Sequence, residues 1–312
     1  MSLAACLLLY SAAVVLLGPP ALRALTRTGR APRLGVATWL TAMVSVLATW
    51  LISAVLIVVD EVAHWSRQHS FIDSCIELLC RVLAGRSGSA PRGVLLLGAG
   101  AAVAAVAVLA VRLTRTVARL RAQAHGHARG IRLVGRPILE QGTFVVDADI
   151  RAAYCVAGKP STIVVTSAAV SALDDHEMRA VLAHEWAHVR GHHLEVTMLV
   201  RAVAAVLPRL ALMRDGALEV TRLLEMCADD AAARRFGRHA VLGGLLTLAG
   251  AAPAGGLGAA DVAVVSRAER LTSPPGAGAC SLDAALAGTA AFIALAPLGV
   301  LTMAASGMFV CS

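Results

Sequence analysis

Lysine is almost absent from this sequence. Lys159 is the only one, so nearly all of the 28 basic residues are arginines, and charged residues make up only 15% of the 312-residue chain. No nucleic-acid recognition motif accompanies the net charge of +8, which argues against direct binding of nucleic acid. The low charge content, together with 58% hydrophobic residues, instead favours a polytopic membrane protein that carries one aqueous domain.

The seven cysteines include no CxxC pair and are not regularly spaced, so the sequence predicts no disulfide framework. Only Cys75 and Cys80 lie close together, in a loop that we expect outside the cytoplasm, where the sequence is compatible with either a disulfide or two free thiols. Cys155 and Cys227 are interpreted as small apolar residues of the aqueous part.

Four apolar stretches are long enough to cross a bilayer. The first runs from Ser2 to about Leu17, and the other three, which contain no charged residue, are Leu34 to Val59, Gly93 to Val111 and Ala284 to Val310. No basic residue precedes Arg23, so the first stretch lacks the basic start of a signal peptide and is interpreted as an uncleaved anchor.

This pattern divides the chain into three parts. Residues 1–111 are predicted to form an N-terminal membrane region with three spans, residues 112–283 a cytoplasmic domain, and residues 284–312 a C-terminal transmembrane helix. Arginines crowd the first loop and the segment directly after the third span, which places both on the cytoplasmic side. The expected protein is therefore multi-pass in the cell membrane, with both termini and the loop from Asp60 to Arg92 outside the cytoplasm.

The cytoplasmic segment has an α+β pattern. Short β-prone runs occupy residues 143–146, 152–156 and 162–166, and later helices are predicted near 195–213, 217–236 and 239–250. The apolar segment 196–213 contains two arginines and a proline. The sequence leaves open whether it lies at the membrane surface or forms a buried helix.

One helix of this segment has clear end signals. Asp174, with Glu177 three residues later, is a capping-box start, and Gly191 is the expected end. His192 and His193 follow that end and are interpreted as residues that cap the helix C-terminus.

The same helix carries an HExxH motif at residues 184–188. On a helix, His184 and His188 lie one turn apart on a shared face, so both imidazoles can bind one Zn²⁺ ion per chain. Glu185 lies beside that face, where a carboxylate can take a proton from a zinc-bound water. The alternative is a solvated helix that carries two histidines by coincidence.

A catalytic zinc site needs a third protein ligand and one open position. The extended pattern HExxHxxGxxH fails here, because Leu194 occupies the position of its third histidine. Glu225 and Asp229 are four residues apart and share a helical face, so Glu225 is the candidate third ligand and Asp229 the candidate acceptor for a ligand imidazole. Glu195 and Glu219 remain alternative ligands.

The two motifs together resemble those of the BlaR/MecR-type antirepressor metallopeptidases and, more distantly, of the HtpX-type membrane peptidases. The matching residues are Ala180 through His188, Glu225 through Asp229 and the strand-like run Gly158 to Val165. Both families have a glutamate followed four residues later by aspartate, so the resemblance assigns Glu225 as the third zinc ligand and Asp229 as its supporting neighbour.

This resemblance implies a membrane α-helical protein of about four transmembrane helices with an α+β gluzincin-like zinc peptidase domain. Three spans before that domain and one after it match the antirepressor layout. Those sensors continue into an extracytoplasmic penicillin-binding domain, whereas this sequence ends at Ser312. We therefore expect any signal to enter through the second loop, the spans or a partner.

The predicted function is that of a zinc metalloendopeptidase cleaving a cytoplasmic protein, and the resemblance implies a winged-helix repressor in a signalling response. The alternatives are an HtpX-like quality-control protease and a non-proteolytic zinc-binding membrane receptor. Glu185 argues against the receptor, because a purely structural zinc site needs no base. The expected partners are the lipid bilayer and the protein substrate, and no oligomeric state is predicted.

Overall fold

The computed structural model describes residues 3–67, 90–138, 142–249, 259–273 and 279–305. Most of the second loop, with Cys75 and Cys80, and the C-terminal tail lie outside the described residues, and so does the question of a disulfide.

Ten helices and one four-stranded sheet make up the described part of the chain. The helices are α1 (Leu3–Thr26), α2 (Pro32–Arg67), α3 (Ala90–Val134), α4 (Ser167–Ala172), α5 (Asp175–Arg190), α6 (His193–Val206), α7 (Ala211–Phe236), α8 (Arg238–Ala249), α9 (Ala259–Thr272) and α10 (Ala279–Ala305). The strands are β1 (Arg136–Pro137), β2 (Thr143–Val146), β3 (Ala153–Val156) and β4 (Thr162–Thr166). The predominantly helical architecture with a small sheet agrees with the predicted class.

Three stretches among the described residues are long and apolar enough to cross a membrane: Leu3–Thr26, Pro32–Val59 and Ser281–Thr302. The sequence predicted about four. The remaining predicted span, residues 93–111, falls in α3, where the side chains of residues 90–99 are outside the described part. The predicted count of four is therefore not confirmed.

Helices α1, α2 and α10 pack together, and neutral polar groups join them. The hydroxyl of Tyr10 donates to the carbonyl of Ile293 at 2.7 Å and lies 2.9 Å from Oγ of Ser45. The indole of Trp50 donates to Oγ of Ser11 at 3.0 Å. Tyr10 and Trp50 thus find hydrogen-bond partners on neighbouring helices, which stabilises polar groups in apolar surroundings.

The sheet has the strand order β1-β2-β4-β3, with β2 and β4 parallel and the two outer pairings antiparallel. Every residue of β4 is buried, because helices cover both faces of this strand. Ile163 and Val165 pack toward α5, whereas Val164 packs toward the end of α3. Strand β3 lies at an edge of the sheet, beside α5.

The predicted single helix over residues 195–213 is wrong. Helix α6 ends at Val206 and α7 begins at Ala211, with Pro208 in the turn between them. Proline supplies no N–H to a helix and clashes with the preceding turn, so the chain breaks there. Val203 and Met213, on either side of this turn, belong to one buried cluster with Trp39 of α2. The segment is therefore a buried, broken helix that packs against a candidate span.

Arginines tie the loop between α1 and α2 to the segment that follows α3. Arg222 of α7 donates to the carbonyl of Thr26 at 2.7 Å, and Arg270 of α9 donates to the carbonyl of Gly29 at 2.8 Å. Gly29 has a φ of 59°, and a Cβ there would collide with the sulfur of Met226. A glycine is thus required where the loop contacts α7, one residue beyond Glu225.

Candidate metal centre

Helix α5 begins as its sequence predicts. The carboxylate of Asp174 accepts hydrogen bonds from the backbone N–H groups of His176 and Glu177, both at 2.8 Å, and the Glu177 carboxylate accepts from the backbone of Asp174. This capping box sets the phase of the helix, and Gly191 ends it as predicted. His184 and His188 consequently lie on one buried face, toward α7.

His184, His188 and Glu225 bring their ligand atoms together. The two histidine Nε2 atoms are 3.1 Å apart, and the Glu225 carboxylate oxygens lie 3.4 Å from Nε2 of His184 and 3.5 Å from Nε2 of His188. Two ligands at about 2.0–2.1 Å from a tetrahedral zinc ion are about 3.3 Å apart. In donor type and in separation, the three groups therefore fit a tetrahedral metal site with a fourth position open.

The charges around the three grouped side chains favour a cation. Burial lowers the pKa of His184, but the carboxylates of Asp229 and Glu225 outweigh burial and raise it to about 9. Burial raises the pKa of Glu225, but the two histidines lower it more strongly, so this carboxyl remains ionised. The negative charges that hold a proton on His184 are the same ones that would hold a metal ion.

Glu185 is a buried acid beside the three grouped side chains and is only 8% exposed. Burial raises its pKa, an effect that the neighbouring histidines oppose without cancelling it. A carboxylate with a raised pKa is better suited to accept a proton near neutral pH. The thiol of Cys155 on β3 interacts with this carboxyl. Cys155, interpreted from sequence as a small apolar residue, therefore also lies at the site.

Asp229 lies behind His184, as its position one turn after Glu225 predicts. Its Oδ1 is 3.0 Å from Nδ1 of His184, although the N–H is not well aligned with that oxygen. Arg267 of α9 holds both carboxylate oxygens, with Nε 2.8 Å from Oδ2 and Nη2 2.6 Å from Oδ1. No local sequence pattern singles out Arg267, because its contact with Asp229 joins residues 38 positions apart.

His193 supports the other histidine, which corrects its interpretation as a helix cap. Its Nδ1 lies 3.1 Å from Nδ1 of His188, on the side of the ring away from Nε2. A side chain at Gly191 would collide with the His193 ring. The side chain of His192 is exposed and lies 3.9 Å from the Glu195 carboxylate. The left-handed backbone at His192, with a φ of 53°, turns the chain so that His193 folds back onto α5.

The alternative ligands lie elsewhere. Glu219 pairs with Arg222 at 2.8 Å, and Glu195 is a half-exposed residue at the start of α6. Among the described residues, neither belongs to the group that surrounds the two histidines. The geometry therefore brings Glu225, and not Glu195 or Glu219, to the histidine pair.

The grouped side chains open into a cleft of about 340 Å³. The cleft is lined by residues leading into edge strand β3 and by residues of α5, α7, α8 and α9. The lining includes Ala152, Ala153, Glu185, Glu225, Val241, Leu245, Leu248 and Arg267. A cleft that joins an acid, a metal-binding group and an exposed strand edge can accommodate an extended peptide.

The sequence profile of Peptidase family M48 matches residues 115–273, just over half of the chain. The chain belongs to peptidase family M48. No curated protein and no solved structure matches significantly. The M48 match supports the predicted metallopeptidase class, and it does not resolve the BlaR/MecR-type resemblance from the HtpX-type one.

The M48 match covers β1 to β4, α4 to α9 and the C-terminal part of α3. It therefore includes every side chain described above for the metal site. Members of family M48 are metal-dependent peptidases, and the three-residue group of this chain agrees with that chemistry.

Proposed function

We propose that this chain is an integral membrane zinc endopeptidase that cleaves a cytoplasmic protein. The observation that carries the proposal is the tetrahedral spacing of His184, His188 and Glu225 beside the buried acid Glu185. Two imidazoles, one carboxylate and an open position are a donor set typical of catalytic zinc.

Each residue of the site then has a definite task. His184, His188 and Glu225 hold the ion, which when bound supplies an acidified water and polarises the scissile carbonyl. Glu185 takes the proton of the attacking water and delivers it to the amide nitrogen of the leaving peptide. Asp229 and His193 orient the imidazoles of His184 and His188 from behind.

Strand β3 is the surface on which we expect the substrate to lie. Strand β4, which contains the second half of the strand-like run Gly158 to Val165, is paired on both sides. Its backbone groups therefore already pair within the sheet and are not available to a substrate strand. Strand β3 pairs with β4 on one side and leads into the cleft on the other. An extended peptide can add to that edge and pass Glu185.

The cytoplasmic position of the site is supported by the contact between the α1–α2 loop and the peptidase segment. This loop carries Arg27 and Arg30, and Arg33 follows in the first turn of α2, close to the ends of two candidate spans, as expected on the cytoplasmic side. Arg222 and Arg270 bind its backbone, which supports a position of the loop and of helix α7 on the same side of the membrane.

For the substrate we propose a winged-helix repressor, on the strength of the motif resemblance and the order of spans around the zinc domain. The second candidate, quality control of membrane proteins, is favoured by the core that α6 and α7 share with α2. This shared core holds the metal-bearing helix against the candidate spans. The same experiment distinguishes the two substrates.

The test compares cells that carry the wild-type chain with cells that carry Glu185→Gln, and identifies new protein N-termini by mass spectrometry. We expect wild-type cells to produce a cleaved repressor and the variant to reduce that cleavage by about 10²–10⁴-fold, the range for loss of a general base. Cleaved membrane proteins instead would establish the quality-control role.

The matched control is Glu195→Gln, which makes the same chemical change at a half-exposed glutamate outside the metal group. It should leave the products unchanged. If the products persist in Glu185→Gln while zinc is retained, the proposed base is wrong.

A further inference from the structure

We infer that Arg267 is a positioning residue of the metal centre, and that it acts through Asp229 on His184. The inference rests on the proposed zinc site but concerns metal binding rather than cleavage. Arg267 lies on α9, outside both motifs that define the site in the sequence.

The contacts of Arg267 form a continuous chain to a metal ligand. Its guanidinium binds both oxygens of Asp229 at 2.8 and 2.6 Å, a side-on bidentate pair. Asp229 Oδ1 in turn lies 3.0 Å from Nδ1 of His184, whose Nε2 faces the metal position. A carboxylate held at both oxygens cannot rotate, so Arg267 holds Oδ1 of Asp229 beside Nδ1 of His184, where it restricts the position of that ring.

Charge balance gives a second reason for an arginine at this point. Glu185, Glu225 and Asp229 place three carboxylates around two histidines, and Asp229 is only 1% exposed at its side chain. A divalent ion leaves one of these negative charges uncompensated. Arg267, whose side chain is 14% exposed, supplies the balancing charge and also lies 3.3 Å from Glu225. Removing it would leave one negative charge uncompensated beside the buried Asp229, which is costly.

The same helix offers a matched control. Arg270, one turn along α9, forms a similar ion pair with Asp230 at 2.7 Å, and it also binds the Gly29 carbonyl. Asp230 is adjacent to Asp229 but is not part of the metal group. If α9 acted only by docking onto α7, the two arginines would have similar effects. If Arg267 acts through Asp229, only its loss should disturb the metal.

The experiment measures the zinc dissociation constant of the purified full-length chain by chelator competition. We expect Arg267→Gln to weaken zinc binding by about 10–100-fold, the range for residues that support a ligand. Arg270→Gln should change it less than about threefold. Arg267→Lys keeps the charge but not the bidentate geometry, so it should give an intermediate loss.

A double variant tests whether Arg267 acts on the metal site through Asp229. In the Asp229→Asn background, Arg267→Gln should cause little further loss of zinc, because the residue through which it acts is already disabled. Full additivity of the two losses would overturn the inference, as would unchanged zinc binding in Arg267→Gln or an equal loss in Arg270→Gln.

Circular dichroism checks that each variant is folded. If Arg267→Gln does not fold, the inference is tested with Arg267→Lys instead. Unchanged zinc affinity in a folded Arg267→Lys chain refutes the inference. These outcomes do not depend on peptidase activity. A chain that binds zinc as expected but cleaves nothing would therefore disprove the proposed function and leave this inference intact.

Discussion

The bundle of α1, α2 and α10 differs from the metal centre in the kind of polar contact that it contains. The described hydrogen bonds that link α1, α2 and α10 to one another join neutral groups, such as the Tyr10 hydroxyl with the Ile293 carbonyl. At the metal centre, buried histidines, carboxylates and an arginine contact one another over distances of 2.6–3.5 Å.

This difference predicts where the molecule tolerates change. A neutral hydrogen bond between helices in apolar surroundings contributes about 0.6 kcal/mol on average, so removing one costs little. In a buried network of charges, removing one group leaves its partner unpaired, which costs several times more. We therefore expect substitutions at the centre to weaken metal binding strongly and substitutions of polar groups in the bundle to affect stability slightly.

The largest effect is expected for Glu225→Ala. Loss of a ligand should weaken zinc binding more than loss of a supporting residue does, so by more than about 100-fold in chelator competition. Glu219→Ala, on the same helix and two turns earlier, is the control and should retain zinc, because Glu219 pairs with Arg222. Undiminished zinc in Glu225→Ala would return Glu195 and Glu219 to consideration.

A pH effect of intermediate size should follow from His184. In the metal-free chain the carboxylates of Asp229 and Glu225 outweigh burial and raise its pKa to about 9, and only the neutral imidazole binds metal. Zinc must therefore displace a proton, so its apparent affinity should rise by about tenfold per pH unit between pH 7 and 8 and level off above 9. Zinc titrations at pH 7, 8 and 9 measure this slope.

The stability of the metal-free chain should fall as the pH rises, over the same range in which the zinc affinity increases. The pKa of His184 is raised above its ordinary value of 6.5, so its charged form stabilises the folded state. This contribution is complete below pH 6.5 and is lost as the pH rises through about 9. If the zinc affinity did not change between pH 7 and 9, the prediction that His184 carries a proton in the metal-free chain would be wrong.

The smallest effect is expected for Tyr10→Phe in the bundle. The variant loses the contacts of the hydroxyl with Ser45 and Ile293, at a cost of about 0.6 kcal/mol in the free energy of unfolding. Reversible unfolding in mixed micelles measures this cost, and zinc affinity should be unchanged. If this variant lost zinc, the contrast between the bundle and the metal centre would be wrong, because a hydrogen bond within the bundle would then affect metal binding.

The sequence predicted the parts of the site that depend on spacing along one helix. The capping box at Asp174 and Glu177, the shared face of His184 and His188, and the four-residue step from Glu225 to Asp229 are all local patterns. Local spacing did not predict the break at Pro208, because the apolar pattern continues across it. The fourth predicted span and the domain limits stay predictions.

By itself, then, the sequence determined the membrane character, the histidine pair with its adjacent acid and the short list of candidate third ligands, because composition and helical period are properties of the chain alone. Only the tertiary structure decided among Glu195, Glu219 and Glu225, since that choice depends on how α7 packs against α5. It also placed Arg267 behind Asp229 and His193 behind His188. Arg267 reaches Asp229 from another helix, and His193 reaches His188 through a left-handed turn, so helical period alone predicts neither contact.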